Sequence, residues 1–330
     1  MRQAGRYLPE YRAVRGKVDF LTLCKTPELA AQVTLQPVDI LGVDAAIIFS
    51  DILLLPEAFG MDLQVEESKG GPRFSPPIRT ESEIDSLSVP DPNIKLSFVM
   101  KAIELTKKEL RGRVPLIGFS GSPWTLAAYM VEGRGSKDFR HPKQLIYDEP
   151  AVAHKLLAKL ADALVPFLEA QLAAGADALQ IFDTWGGILS PDNYREFSLD
   201  YLSKVVSNVQ RNGVPIIVFS KGANECLEEI SKIGADVVSL DWTVDIGEAR
   251  KSIGGQVALQ GNLDPSALYA SPERIRHEVK MILRKYGKGP GHIFNLGHGI
   301  LSDTPVDHAR ALVDFVKEES VPFHERESTH

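Results

Sequence analysis

An α/β fold on a buried parallel sheet is what this sequence predicts, and three observations carry the prediction. Seven short apolar runs recur along the chain: Ala46 to Phe49, Pro115 to Phe119, Leu179 to Phe182, Pro215 to Phe219, Val237 to Leu240, Gln256 to Leu259 and His292 to Phe294. They are mostly continuous rather than alternating, as parallel strands buried on both faces require, and helical patterns separate most of them. The third observation is an echo. Gly42-Val43-Asp44-Ala45, Gly175-Ala176-Asp177-Ala178 and Gly234-Ala235-Asp236-Val237 each close a helix-like stretch and open an apolar run. A glycine there suits the left-handed residue that ends a helix.

After the first run, Leu63-Gln64-Val65-Glu66 followed by Gly70-Gly71 reads as an inserted hairpin near Asp62 to Phe74. Phe98 to Leu110 has a helical pattern. Leu156, Leu160, Leu164, Leu168 and Leu172 then fall close to one helical stripe, with a kink expected at Pro166. Similar patterns run over Leu227 to Ile233, Ile275 to Leu283 and Ala309 to Val316. Strand then helix, repeated, means an open doubly wound sheet or a closed eight-stranded barrel. Strand spacing that is wide early and tight late fits a (β/α)8 barrel of TIM type with loop insertions in its first half. Its first strand is expected upstream of, or truncated at, Met1. A length of 330 residues would allow two domains of about 150 residues each, but no low-complexity or Ser/Pro-rich linker divides it, so one domain over 1–330 is preferred.

Composition removes several function classes. With 44% apolar and 25% charged residues, a disordered, collagen-like or coiled-coil chain is excluded. No run reaches the roughly 18 apolar residues of a membrane span, and the basic, polar start is not a targeting segment. The 37 basic and 44 acidic side chains leave a net charge of −7, so the whole molecule repels polyanions. General nucleic-acid binding loses ground, and an anionic substrate must be drawn in by a local cluster of Arg and Lys. Cys24 and Cys226 are too few for a disulfide framework and lack zinc-site spacing, which suits a reducing compartment.

In a parallel barrel, reactive groups project from the carboxyl ends of strands. That rule selects Ser50 and Asp51, Phe119 to Tyr129, Asp183 to Gly187, Ser220 to Gly222, Asp241 and Trp242, Gly261 to Asp264, and Asn295 to Gly299. Polar residues at such places also cap helices and close turns. The opening segment, Met1-Arg2-Gln3-Ala4-Gly5-Arg6-Tyr7-Leu8-Pro9-Glu10-Tyr11-Arg12, stands out because with Arg15 and Lys17 it sets five cations against Glu10. Gly5 and Pro9 oppose a long regular helix, which puts Arg2 and Arg6 on a loop at the barrel mouth. Their planar donor forks match carboxylate or phosphate, so they read as a clamp for an acidic ligand or as a solvated basic terminus.

The segment Met1 to Arg12 resembles the signature of the uroporphyrinogen decarboxylase family, and four more motifs come after it in order. They are Phe49-Ser50-Asp51-Ile52-Leu53, Gly118-Phe119-Ser120-Gly121-Ser122-Pro123-Trp124-Thr125, Gln260-Gly261-Asn262-Leu263-Asp264-Pro265 and Asn295-Leu296-Gly297-His298-Gly299-Ile300. The resemblance spans nearly the whole chain. It implies stepwise decarboxylation of the four acetate arms of uroporphyrinogen III to methyl groups, giving coproporphyrinogen III in haem and chlorophyll biosynthesis. It also implies no metal, no organic cofactor and a homodimer, with neither a nucleic acid nor a membrane as partner.

The resemblance assigns Asp51 as the anion facing the pyrrole N–H groups. Arg2 and Arg6 hold substrate carboxylates and could stand beside the departing one, with backbone contacts from Gln3, Ala4 and Gly5. Phe20 and Ser50 match further contact positions, and Phe119 and Phe182 pack against the macrocycle or simply in the core. Tyr129 matches an active-site tyrosine that hydrogen-bonds near Asp51 or a reacting acetate. His298 matches an active-site histidine suited to proton donation or carboxylate binding near neutral pH. Where many members have Ser-His after Phe182-Asp183, this chain has Thr184-Trp185: Thr184 keeps a hydroxyl for a carboxylate, and an indole replaces the imidazole. The Thr-Trp form resembles plant and cyanobacterial members, which implies a plastid with the transit peptide absent here, the cytoplasm being the alternative. Two rival readings are a zinc-dependent, corrinoid-linked methyltransferase of the same barrel superfamily and a non-catalytic polyanion-binding protein. The first needs His and Cys ligands at strand ends, and Phe219-Ser220-Lys221-Gly222 has neither.

Overall fold

The computed structural model describes residues 5–66 and 71–324. Its strands are β1 (Ala46–Ile47), β2 (Leu63–Glu66), β3 (Gly71–Phe74), β4 (Leu116–Gly121), β5 (Ala178–Asp183), β6 (Ile216–Ser220), β7 (Val237–Ser239), β8 (Ala258–Leu263) and β9 (His292–Leu296). The seven predicted runs form one parallel sheet in the order β1-β4-β5-β6-β7-β8-β9, while β2 and β3 make the predicted antiparallel hairpin. Among the described residues no eighth strand joins β1 to β9, so the barrel is a curled seven-stranded sheet. The curl is tight enough that the ring of Phe219, on β6, lies 6.1 Å from that of His298, just past β9.

Helices cover the outer face because the connections between parallel strands must return along it. On the helix Pro150–Ala173, the leucines Leu156, Leu160, Leu164 and Leu168 are at most 1% exposed, and Leu172 packs partly buried beside them. Burying each such side chain stabilises the fold by about 1.5–3 kcal/mol. That packed stripe runs through Pro166, which lies inside the helix.

The echo has a common physical role at two of its three sites. Gly42, Gly175 and Gly234 all take positive φ, at 68°, 112° and 91°. Asp177 then accepts a hydrogen bond from Leu116 N at 2.7 Å and pairs with Lys107. Asp236 accepts from Ile216 N at 2.8 Å and pairs with Arg211. Each aspartate thus fixes the first backbone donor of the preceding neighbour strand, β4 or β6, and sets its register. Asp44 precedes β1, an edge strand with no earlier neighbour among the described residues, and its side chain is exposed.

At the far end of β9 from the mouth, His292 stacks on Tyr286 at 4.4 Å, and its Nε2 lies 3.0 Å from the carbonyl oxygen of Gly261. Burial lowers the pKa of His292, outweighing that hydrogen bond. The folded chain therefore resists a proton that the unfolded chain accepts near its ordinary pKa of about 6.5. Stability against urea should be flat with respect to this group above that pH and fall as pH drops below it. His292→Phe should flatten the fall, and an unchanged slope would contradict the assignment.

Candidate active site

The site is built from the loops and turns just past the carboxyl ends of the strands. Beyond β1, Ile48 N still bonds to the carbonyl of Ile117 at 3.0 Å, and Phe49 N donates to Thr34 Oγ1 at 2.9 Å. The chain then turns, leaving Ser50 and Asp51 half-buried. Asp51 Oδ1 accepts from Leu53 N at 2.8 Å, a short local bond that orients the carboxylate. The Asp51 carbonyl accepts from Leu54 N at 3.3 Å, so the residue also shapes the turn into the helix Leu54–Ala58.

Two residues before Asp51, Phe49 has the rings of Tyr11 and Phe20 each 5.9 Å from its own. Burial, assisted by the charge of Asp51, pushes the Cys24 thiol upward, which places the carboxylate beside the helix Phe20–Lys25. In the opening segment Gly5 is buried and Arg6 exposed, on a turn closed by Leu8 N donating to the Gly5 carbonyl at 3.1 Å. Helix starts at Pro9, so the loop expected for Arg6 is observed. Arg2, Gln3 and Ala4 lie outside the described residues. Arg12 braces the segment: its Nε donates to the Arg6 carbonyl at 2.6 Å and its Nη2 to the Ser302 carbonyl at 2.9 Å, joining the start of the chain to the loop after β9.

Inside the curl a continuous series of rings crosses from β4 to β9. Phe119 meets Phe182 at 5.7 Å, Phe182 meets Phe219 at 6.2 Å, and His298 lies 6.2 Å from Trp242. These are mostly edge-to-face contacts, each contributing about 0.5–1.5 kcal/mol beyond area burial. Tyr129, on the helix Pro123–Glu132, forms a second group with Phe139 at 6.1 Å and Trp185 at 6.2 Å. Trp185 also packs 4.5 Å from Phe139, so the indole that stands in place of an imidazole acts as a wall for Tyr129. Thr184 is half-buried next to it.

Sequence reasoning places Asp183 at a strand end without seeing what it does. Alternation turns it away from Phe182 into a fully buried position, where Oδ1 accepts from Ser122 Oγ at 2.6 Å and Thr125 Oγ1 at 3.2 Å. Oδ2 accepts from Ser198 Oγ at 2.9 Å and Ser220 Oγ at 2.7 Å. Burial raises its pKa against the opposing pull of the four hydroxyls. The carboxylate thereby ties the Tyr129 helix, the loop carrying Thr184 and the end of β6 together. Gly186 fits because a Cβ there would stand 2.2 Å from Asp183 Oδ2. The signal lay in four hydroxyl residues, but nothing local groups them.

Leaving those hydroxyls without an acceptor should be costly. Asp183→Ala is expected to lose about 3 kcal/mol in urea unfolding. Asp183→Asn should lose less, since burial favours the neutral group. Wild-type stability in both variants would contradict this role.

Among the described residues no group of three or more His, Cys, Asp or Glu is placed to hold a metal ion, and burial pushes the Cys226 thiol upward. The zinc-site reading therefore has no ligand set there. No helix among the described residues is long and apolar enough to cross a membrane.

Comparison with known proteins agrees with this geometry. In fold, the chain is similar to a methyltransferase from Methanosarcina mazei, with a TM-score of 0.79 at 22% identity over 93% of this chain and 90% of that one. It is also similar to a B12-independent methionine synthase from Shewanella sp., with a TM-score of 0.60 at 13% identity over 93% and 92% of the two chains. In sequence, it is 56% identical to a uroporphyrinogen decarboxylase of Chloroherpeton thalassium over 98% of this chain and 93% of the relative. It is equally 56% identical to one of Nitrosococcus oceani over 98% and 92%. The model of the uroporphyrinogen decarboxylase family matches residues 1–319, and with these relatives it makes the chain a member of that family.

Proposed function

We propose that the chain decarboxylates the four acetate arms of uroporphyrinogen III stepwise to methyl groups, giving coproporphyrinogen III, with the macrocycle centred on Asp51. Family membership supports the reaction. The observation that carries the site is the half-buried Asp51 carboxylate, oriented by Leu53 N at 2.8 Å at the end of β1.

The chemistry explains why an anion belongs there. Breaking the bond between an acetate arm and its carboxyl group releases carbon dioxide and leaves an electron pair on carbon. Protonating the pyrrole carbon that bears the arm first makes the ring an iminium-like cation, which accepts that pair. A proton added at the new methylene then gives the methyl group, and the ring proton is lost. Asp51 would accept hydrogen bonds from the pyrrole N–H groups and offset the transient positive charge. At about 4 Å and an effective dielectric near 20, unit charges attract by roughly 4 kcal/mol, or about three powers of ten in rate if realised only in the transition state.

The remaining roles follow from position and from the family resemblance. Arg6 stands at the mouth, and with Arg2 and the Gln3, Ala4 and Gly5 backbone it holds substrate carboxylates. Phe20, Ser50 and Thr184 contact the ligand, and Phe119 and Phe182 pack against the ring system. Tyr129, after β4, hydrogen-bonds near Asp51 or a reacting acetate, and His298, after β9, donates a proton or binds a carboxylate. No metal or organic cofactor takes part. The unit is one barrel domain, paired as a homodimer with mouths facing. The relatives compared are bacterial, which supports the cytoplasmic alternative over a plastid.

Reduced uroporphyrinogen supplied without oxygen or added cofactor should pass through hepta-, hexa- and pentacarboxylate intermediates to coproporphyrinogen. Asp51→Asn should fold normally and lose about 100- to 1,000-fold in kcat. An unchanged rate would remove Asp51 from the mechanism.

A further inference from the structure

We infer that Lys221, held against Trp242 near His298, is a carboxylate-binding subsite at the mouth; this rests on the function proposed above. Among the described strands β6 is the middle of the sheet, three positions from β1 on one side and three from β9 on the other. The residue just past the carboxyl end of a parallel strand stands at the mouth. Lys221 is that residue, one position past Ser220.

The lysine is prepared for a ligand. Its Nζ lies 5.5 Å from the centre of the Trp242 ring, a cation–π contact that holds an ammonium without neutralising it. It makes no ion pair with a carboxylate among the described residues. The carboxylate beside Trp242 in the chain, Asp241, is occupied elsewhere: Oδ2 accepts from Gly222 N at 2.7 Å, and Oδ1 accepts from Thr243 N at 2.7 Å and Thr243 Oγ1 at 2.5 Å. Those bonds also lock the turn after Lys221 to the end of β7, so the pair is fixed before any ligand arrives. Trp242 is 37% exposed and lies 6.2 Å from His298, which ties the subsite to the proposed reacting arm. Gly297 lets the loop after β9 close on this pair, since a Cβ there would stand 2.4 Å from Trp242 N.

The opening segment is braced to the loop after β9 through Arg12, whose guanidinium reaches both the Arg6 carbonyl and the Ser302 carbonyl. The acidic arms surround the whole perimeter of the macrocycle, more of them than the opening arginines alone can grip. Lys221 supplies a further cation near the Trp242–His298 contact, and its ligand is a second carboxylate arm.

The test is steady-state kinetics with reduced uroporphyrinogen for wild type, Lys221→Met and Lys221→Arg, with Tm measured in parallel. Lys221→Met should raise KM about fivefold with kcat within about twofold, and Lys221→Arg should restore KM. Added salt should raise the wild-type KM more steeply than that of Lys221→Met. A wild-type chain that turns over while Lys221→Met keeps its KM overturns the subsite alone. Parallel losses of kcat, KM and Tm that Lys221→Arg does not repair also overturn it, by making Lys221 structural. A wild-type chain with no turnover overturns the proposed function and the subsite with it.

Discussion

In the proposed function, the constraint around which the site is arranged is a single carboxylate, Asp51, held just past the open end of β1. An isolated charge among aromatic rings would be costly unless it were hydrogen-bonded, and the bond from Leu53 N at 2.8 Å supplies a partner while fixing direction. Orientation matters because a pre-set anion needs no reorganisation when positive charge develops on a ring above it. Nothing else in the proposed chemistry substitutes for it: the arginines recognise arms, and the aromatic wall offers surface without charge.

The scaffold explains how such a site stays in register. The aspartates of the echo fix the starts of β4 and β6 at one end of the sheet, and the buried Asp183 fixes the segments just past β4, β5 and β6 at the other. Between those two anchors the inward residues Phe119, Phe182 and Phe219 form a wall whose spacing is set by strand pairing rather than by local sequence. The Tyr129 helix inherits its position from Ser122 and Thr125, both held by Asp183.

The strands are legible because buried parallel strands are continuous apolar runs, and the echo is legible because helix ends demand an unusual backbone angle. That Asp51 and His298 stand just past strand ends is legible because the apolar runs mark where the strands stop. Asp183 as a hub is not, since its partners come from residues 122 to 220 and meet only when three strands pair. The Arg12 brace to Ser302 crosses 290 positions, and the Lys221–Trp242 pair joins two different strand ends, so neither leaves a local signature.

The membership of a family whose fold is shared with methyltransferases shows how little the barrel itself decides. Function rests on which side chains stand at the strand ends. The most direct measurement is a crystal structure of the chain with coproporphyrinogen bound. The account predicts pyrrole N–H groups within about 3 Å of the Asp51 carboxylate oxygens. A ring seated elsewhere, with Asp51 turned to solvent or away from it, would contradict it.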